Sequence, residues 1–247
     1  MIRTLVIDRP DKKNAITAAM YTALAADLDA ARRDDDVGAV VITGAGAVFT
    51  AGNDLRDFLE NPPAGEESPV FRFLFALAAF DKPLVAAVRG PAIGIGTTML
   101  LHCDFVFVAP SARFQMPFID LGLVPEAAST LLLPRLVGDR RAASWLMLGE
   151  AFDATTAVAV GIANEIVADD AVLAHAQRIA ERLDAKPRQA MRFTKRLLRH
   201  DRADVNAAIR REAELFREAL SSSEARAAFQ SFLSGSGQKS TPSSRPQ

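Results

Sequence analysis

The chain has 247 residues, 49% of them hydrophobic and 24% charged, which excludes a disordered or collagen-like polymer and suits one large domain or two small ones. Lys and Arg number 29 against 30 Asp and Glu, for a net charge of −1; without a basic excess, no nucleic-acid partner is expected. The one cysteine, Cys103, excludes an intrachain disulfide and a zinc site built on thiolates, and His102, His175 and His200 lack ligand spacing, so no metal is expected.

Taken in chain order, Leu5, Val6 and Ile7 form an apolar run stopped by Pro10, which predicts a strand. Met20, Leu24, Leu28 and Ala31 recur at helical spacing behind Thr17, a suitable N-cap. Residues 32–36 read as a solvated turn. Residues 37–43, Leu84–Val88 and Phe105–Val108 read as buried strands. Apolar strands separated by helices favour an α/β fold with a parallel sheet covered on both faces. The second half is mostly helical: segments 140–148, 153–160, 171–183, 187–199 and 203–220 carry helical periodicity, with a short strand expected within 162–167. The charged helices after residue 187 look like an appendage that packs on something else, with another subunit as a candidate. The Ser/Gly/Pro-rich segment 234–247 reads as disordered. The start lacks a signal-peptide core, the last three residues are not a peroxisomal signal, and no apolar run reaches the roughly 18 residues of a membrane span. The expectation is a cytoplasmic protein with no membrane partner.

Two glycine-containing loops follow strands: Ala51-Gly52-Asn53-Asp54-Leu55, and Gly90-Pro91-Ala92-Ile93-Gly94-Ile95-Gly96. Backbone N–H groups at strand-to-helix turns lack partners, and two converging ones make an oxyanion hole. Tight turning or close packing explains such glycines equally well. Met99 stands where a dinucleotide fingerprint needs its third glycine.

Together with Arg9-Pro10-Asp11-Lys12-Lys13-Asn14-Ala15, Ile42-Thr43-Gly44-Ala45-Gly46, Lys82-Pro83, Cys103-Asp104, Phe114, Pro117 and Gly122-Leu123-Val124-Pro125-Glu126, these loops make the chain resemble the crotonase, or enoyl-CoA hydratase/isomerase, superfamily along almost its whole length. The resemblance implies a spiral of ββα turns over residues 1–186 and a helical oligomerisation region over 187–233 that builds a homotrimer or hexamer. It implies an acyl-CoA thioester as substrate, with coenzyme A as part of that substrate and no separate cofactor. The thioester carbonyl would lie between the backbone N–H groups of Asn53 and Ile95, with Ala51, Leu55 and Gly94 beside it.

The two glutamates of a hydratase in this family fall here on Thr98 and Phe118. Neither offers a base near neutral pH, so ordinary hydration is not expected. Glu126 instead matches the single catalytic glutamate of the peroxisomal-type 3,2-enoyl-CoA isomerase branch, which also shares Gly52-Asn53-Asp54-Leu55, Pro62-Pro63 and Pro117-Phe118. The implied reaction moves a double bond from C3–C4 to C2–C3 through a dienolate, with one carboxylate as proton shuttle. The other readings are a divergent hydratase, a different acyl-CoA transformation on the same fold, and a binder of CoA thioesters without catalysis.

Each candidate side chain also has a plain reading. Glu126 would sit well in a first helical turn. Asp54 is a loop cap or orients a base, and Thr98 lines the pocket or packs a helix. Phe58, Phe71, Phe73, Phe75 and Phe118 wall an acyl cavity or fill the core. Lys12, Lys13 and Arg56 hold CoA phosphates or are solvated surface charges. His102 and Cys103 read as packing residues of a buried helix.

Overall fold

A computed structural model describes residues 1–199 and 201–234. The disorder expected for 234–247 falls, Ser234 apart, outside the described residues, as does His200. The first half alternates strand and helix as the apolar runs require: β1 (Ile2–Ile7), α1 (Ala18–Arg33), β2 (Ala39–Gly44), α2 (Leu55–Glu60), α3 (Pro69–Ala79) and β3 (Leu84–Val88). Thr17 caps α1 by accepting the N–H of Met20. Next come β4 (Pro91–Ile93), the single turn α4 (Ile95–Thr98), a 3-10 turn at Met99–His102, β5 (Phe105–Val108) and β6 (Arg113–Gln115). His102 closes that 3-10 turn and Cys103 follows it, both buried.

The chain continues through α5 (Ser129–Val137), α6 (Asp139–Met147), β7 (Phe152–Asp153), α7 (Ala154–Ala159), β8 (Glu165–Ile166) and α8 (Val172–Asp184). It ends in α9 (Arg188–Leu198), α10 (Arg202–Ser221) and α11 (Ser223–Leu233). The strand expected within 162–167 shrinks to the two residues of β8. Helix α3 has no counterpart among the elements read from the sequence: its buried Val70, Phe73, Leu74 and Leu77 keep helical spacing, but Phe75 and the alanines on the other side make the segment apolar almost all round and blur the stripe.

Strands β1-β2-β3-β5-β8 form a parallel sheet in that order, and β4-β6-β7 form a second, three-stranded sheet. Residues of β2 and β3 are buried on both faces, as a sheet covered by helices demands. One face of the first sheet packs with Phe107, Val172, Ala176 and Ala180. The other joins the main core, which runs from Leu5 through Phe49, Phe73 and Phe114 to Phe216 and Phe229.

That core crosses residue 186. Val205, Ala208, Ile209, Ala213 and Phe216 of α10 and Phe229 of α11 pack into it, so these two helices cover their own chain. Helix α9 differs: Phe193, Leu197 and Leu198 stand 46%, 75% and 74% exposed.

Candidate active site

The two glycine-containing loops are stitched side by side. Thr50 N–H donates to the Pro91 carbonyl and Ile93 N–H to the Thr50 carbonyl, each at 3.0 Å, a parallel bridge pairing Thr50 with Ala92. Past Ala92 the second loop turns at Gly94, φ +57°, into α4, whose first residue is Ile95. Gly52 has φ +89°, and a Cβ there would lie 2.8 Å from the Ile93 carbonyl oxygen, so only glycine permits this approach.

The neighbours of both candidate donors are tied down. Asp54 N–H donates to the Ile16 carbonyl at 2.9 Å and Gly94 N–H to the Gln115 carbonyl at 2.8 Å. The N–H groups of Asn53 and Ile95 donate no hydrogen bond among the described residues. Both candidate donors therefore stand without partners among the described residues, one in each of two fixed loops.

Asn14 does much of the fixing. Fully buried, it donates to the carbonyls of Ala45 at 2.9 Å and Val48 at 2.6 Å, accepts from Arg9 N–H at 2.9 Å, and offers its own carbonyl to the Thr50 hydroxyl at 2.7 Å. Asp54 proves to be a cap: its carboxylate accepts the N–H groups of Arg56 and Asp57 and pairs with Arg9 at 2.5 Å. Burial works against its charge, yet the Arg9 hydrogen bond and the helix N–H groups hold the Asp54 carboxyl below its usual range.

Glu126 lies outside any helix, three residues before α5, and is 2% exposed. Its Oε1 has no hydrogen-bond partner. Burial first, and the charge of Glu212 second, push its carboxyl up to about 8. The first-turn reading fails, since neither the chain position nor the hydrogen bonding is that of a helix start. After Glu126 come Ala127 and Ala128 at φ 62° and 55°, a left-handed pair costing roughly 1–2 kcal/mol for each residue. The oxygens of the buried Thr98 and Ser129 hydroxyls likewise lack partners.

The chain's one tyrosine links the loops to the acid. Tyr21 of α1 is fully buried and its hydroxyl donates to Asn53 Oδ1. Burial, then the Glu126 charge, raise its pKa well above the ordinary phenol value, which places the phenol within electrostatic reach of that carboxylate. Tyr21 also lines a cavity of about 310 Å³ with Asp57, Phe58, Pro62, Pro63 and Val70.

Phe118 is buried, its ring edge 3.9 Å from where a Gly94 Cβ would stand, so the ring lies against the second loop. Phe58 is on the cavity wall; Phe71 and Phe73 are core, and Phe73 packs on Tyr21 with ring centroids 5.5 Å apart. Phe75 is half-buried beneath Arg210. Leu55 opens α2, half-buried against the core. Ala51 N–H donates to the Lys13 carbonyl at 2.9 Å, bringing the backbone beside Lys12 to the first loop. Lys12, Lys13 and Arg56 are exposed and join no ion pair among the described residues. Neither the cavity beside Tyr21 nor a larger one of about 750 Å³ under α9 has Asn53, Ile95 or Glu126 in its lining. Among the described residues no three His, Cys, Asp or Glu side chains gather as a metal site would require.

Tyr21 and Glu212 escaped the reading of the sequence, and each left a signal. The single tyrosine, next to the apolar stripe of α1, needs a partner for its hydroxyl when buried. Glu212 is the one acid on the stripe Val205, Ala208, Ile209, Ala213 and Phe216.

The chain is similar to known proteins in sequence and in fold. The enoyl-CoA hydratase/isomerase family pattern matches residues 2–237. The human "Enoyl-CoA delta isomerase 2" is 32% identical over 241 residues, 94% of this chain but 61% of its own length. The "2,3-dehydroadipyl-CoA hydratase" of Escherichia coli K12 is 33% identical over 240 residues, covering 96% of this chain and 92% of its own. The solved structure of Pseudomonas aeruginosa OdaA superposes with a TM-score of 0.91 at 48% identity, covering 93% of this chain and 94% of that one. With a crotonase fold, two stitched loops and a match spanning nearly every residue, the chain belongs to the enoyl-CoA hydratase/isomerase family.

Proposed function

We propose that the protein isomerises 3-enoyl-CoA thioesters to trans-2-enoyl-CoA with Glu126 as the only proton shuttle. The observation that carries this reading is a buried carboxyl with a free oxygen and a pKa raised to about 8. Such a group is matched to removing a weakly acidic C2 proton and returning it at C4. Charge in the dienolate rests on the thioester oxygen, where the N–H groups of Asn53 and Ile95 receive it; a donor so placed contributes about 2.7–4 kcal/mol. The shuttle is redox-neutral and consumes no cofactor.

Hydration would need a second base to hold and deprotonate water, and the family's two glutamate positions are Thr98 and Phe118. The ring of Phe118 against Gly94 supports an apolar wall there. The acyl chain fits the cavity beside Tyr21 and Phe58, and Lys12 serves the CoA phosphates from the rim. The exposed Phe193, Leu197 and Leu198 of α9 support the assembly of copies into trimers through that face. No described helix is long and apolar enough to cross a membrane. The test is a direct assay with 3-hexenoyl-CoA, following formation of the conjugated thioester. Turnover that needs Glu126, together with slow hydration of crotonyl-CoA, is the expected result. Rapid hydration by the unaltered protein would overturn it.

A further inference from the structure

The peptide unit joining Ala127 to Ala128 is gripped at both polar ends. Its carbonyl oxygen lies 2.7 Å from His102 Nε2. A carbonyl only accepts, so Nε2 carries the proton, and burial holds the ring neutral by lowering its pKa to about 4. Its N–H donates to Glu212 Oε2 at 2.6 Å. The other Glu212 oxygen accepts from Thr130 N–H at 3.0 Å and from the Thr130 hydroxyl at 2.6 Å.

Glu212 thus supplies, from α10, the cap that α5 lacks locally, since its N-cap residue is Ala128 with no side-chain bond. A serine or aspartate at position 128 would cap the helix as well. The remote carboxylate does more: it fixes a peptide in a conformation that L-residues avoid, one residue from Glu126, and it brings a second negative charge near that acid. His102 clamps the opposite end of the same peptide.

We propose that Glu212, with His102 as its counterpart, is the positioning residue for Glu126: the pair locks the left-handed turn that aims the carboxylate, and the Glu212 charge tunes its basicity. The inference rests on the reading of Glu126 as the base. The titratable groups around the turn are Tyr21 from α1, His102 from the 3-10 turn and Glu212 from α10. Arg211 acts on Glu212, and Arg199 and Lys195 act on His102.

The experiment compares the full-length protein with Glu212→Gln and His102→Leu. Three quantities are read for each: kcat and KM with 3-hexenoyl-CoA, melting temperature, and the titration of Glu126. The titration uses carbon NMR on protein labelled at the glutamate carboxyl and assigned with Glu126→Gln. Misaiming a reacting group by an ångström costs about 10²-fold, so both variants should lose kcat on that order with KM unchanged. The Glu126 midpoint should fall in Glu212→Gln, where a negative charge is removed, and stay in place in His102→Leu. A folded Glu212→Gln protein with a lower melting temperature but the original kcat and midpoint overturns the proposal, because that is a purely structural role. Should Glu212→Gln not fold, His102→Leu decides through kcat. If the unaltered protein does not isomerise the substrate, the functional reading fails separately, and the midpoint then decides the coupling of Glu212 to Glu126: a fall in Glu212→Gln supports it, and an unmoved midpoint overturns it.

Discussion

Two groups of buried charge occupy this molecule, and they are built on opposite rules. Under α9, Lys195 Nζ pairs with Asp104 at 2.7 Å and donates to the Lys82 carbonyl at 2.6 Å. Lys82 Nζ in turn reaches the carbonyls of Ala31 and Asp34 at 2.8 and 2.6 Å, Arg199 binds those of Leu101 and Cys103, and Asp104 accepts the Leu84 N–H. Nearly every donor there has an acceptor. Around Glu126 the rule is reversed: among the described residues no cation pairs with the acid, one oxygen is free, and the charge that acts on it is another carboxylate. The lesson is that Lys82 and Asp104, though part of the motif set that identifies the family, hold α9 to the sheet, whereas the charge left unpaired is the one available for chemistry.

The largest test of this contrast is Glu126→Gln. The amide keeps the shape but cannot accept a proton, so kcat should fall about 10²–10⁴-fold while acyl-CoA binding persists. Steady-state kinetics alongside acyl-CoA binding by calorimetry will show it, and full turnover would collapse the distinction between the two groups.

Lys195→Met probes the other group. Leaving the half-buried Asp104 without its closest cation, with only Arg199 at 3.7 Å to offset it, should lower the melting temperature by several degrees. Turnover per folded molecule should stay unchanged.

A pH series sharpens the comparison further. Glu126 must ionise to act, so kcat/KM should rise with pH and level off above about 8. Because its folded pKa lies above the ordinary 4.5, the folded state holds the proton more tightly. Stability from this group is therefore complete below pH 4.5 and is lost as pH rises towards 8. Glu126→Gln should lessen that loss and melt above the parent at pH 8, as thermal scans at pH 5 and 8 will reveal.

The smallest effect belongs to an exposed charge outside both groups. Lys12→Ala should raise KM about threefold without touching kcat, and the difference should shrink in high salt, since solvated ion pairs contribute at most about 1 kcal/mol.

How much of this was legible beforehand follows from the range of the interactions. The strands at Leu84–Val88 and Phe105–Val108 and the Thr17 cap depend on neighbours in sequence, and they read directly. The loops around Asn53 and Ile95 were recognisable by motif, but their alignment depends on the pairing of Thr50 with Ala92. Glu126 could be located, and an apolar setting with a raised pKa followed from its chemistry, but Glu212, the second cause of that rise, comes from a helix distant in the chain. His102 read as packing, and its bond to the Ala127 carbonyl spans 25 residues. The apolar faces of α10 and α11 announced that something covers them without saying that it is the chain's own core.

The contact between Glu212 and the turn at Ala128 joins residues 84 apart, and this sets an order of events during biosynthesis. Strands β1, β2 and β3 can pair in the order in which they leave the ribosome, since domains form progressively from the N-terminus during synthesis. The turn carrying Glu126 has no cap until α10 emerges. A nascent or truncated chain ending at residue 186 would hold both loops and the acid yet leave Ala128 N–H and Thr130 unmet. Competence therefore waits for α10 to emerge, and a fragment lacking that helix should be structured before it can act.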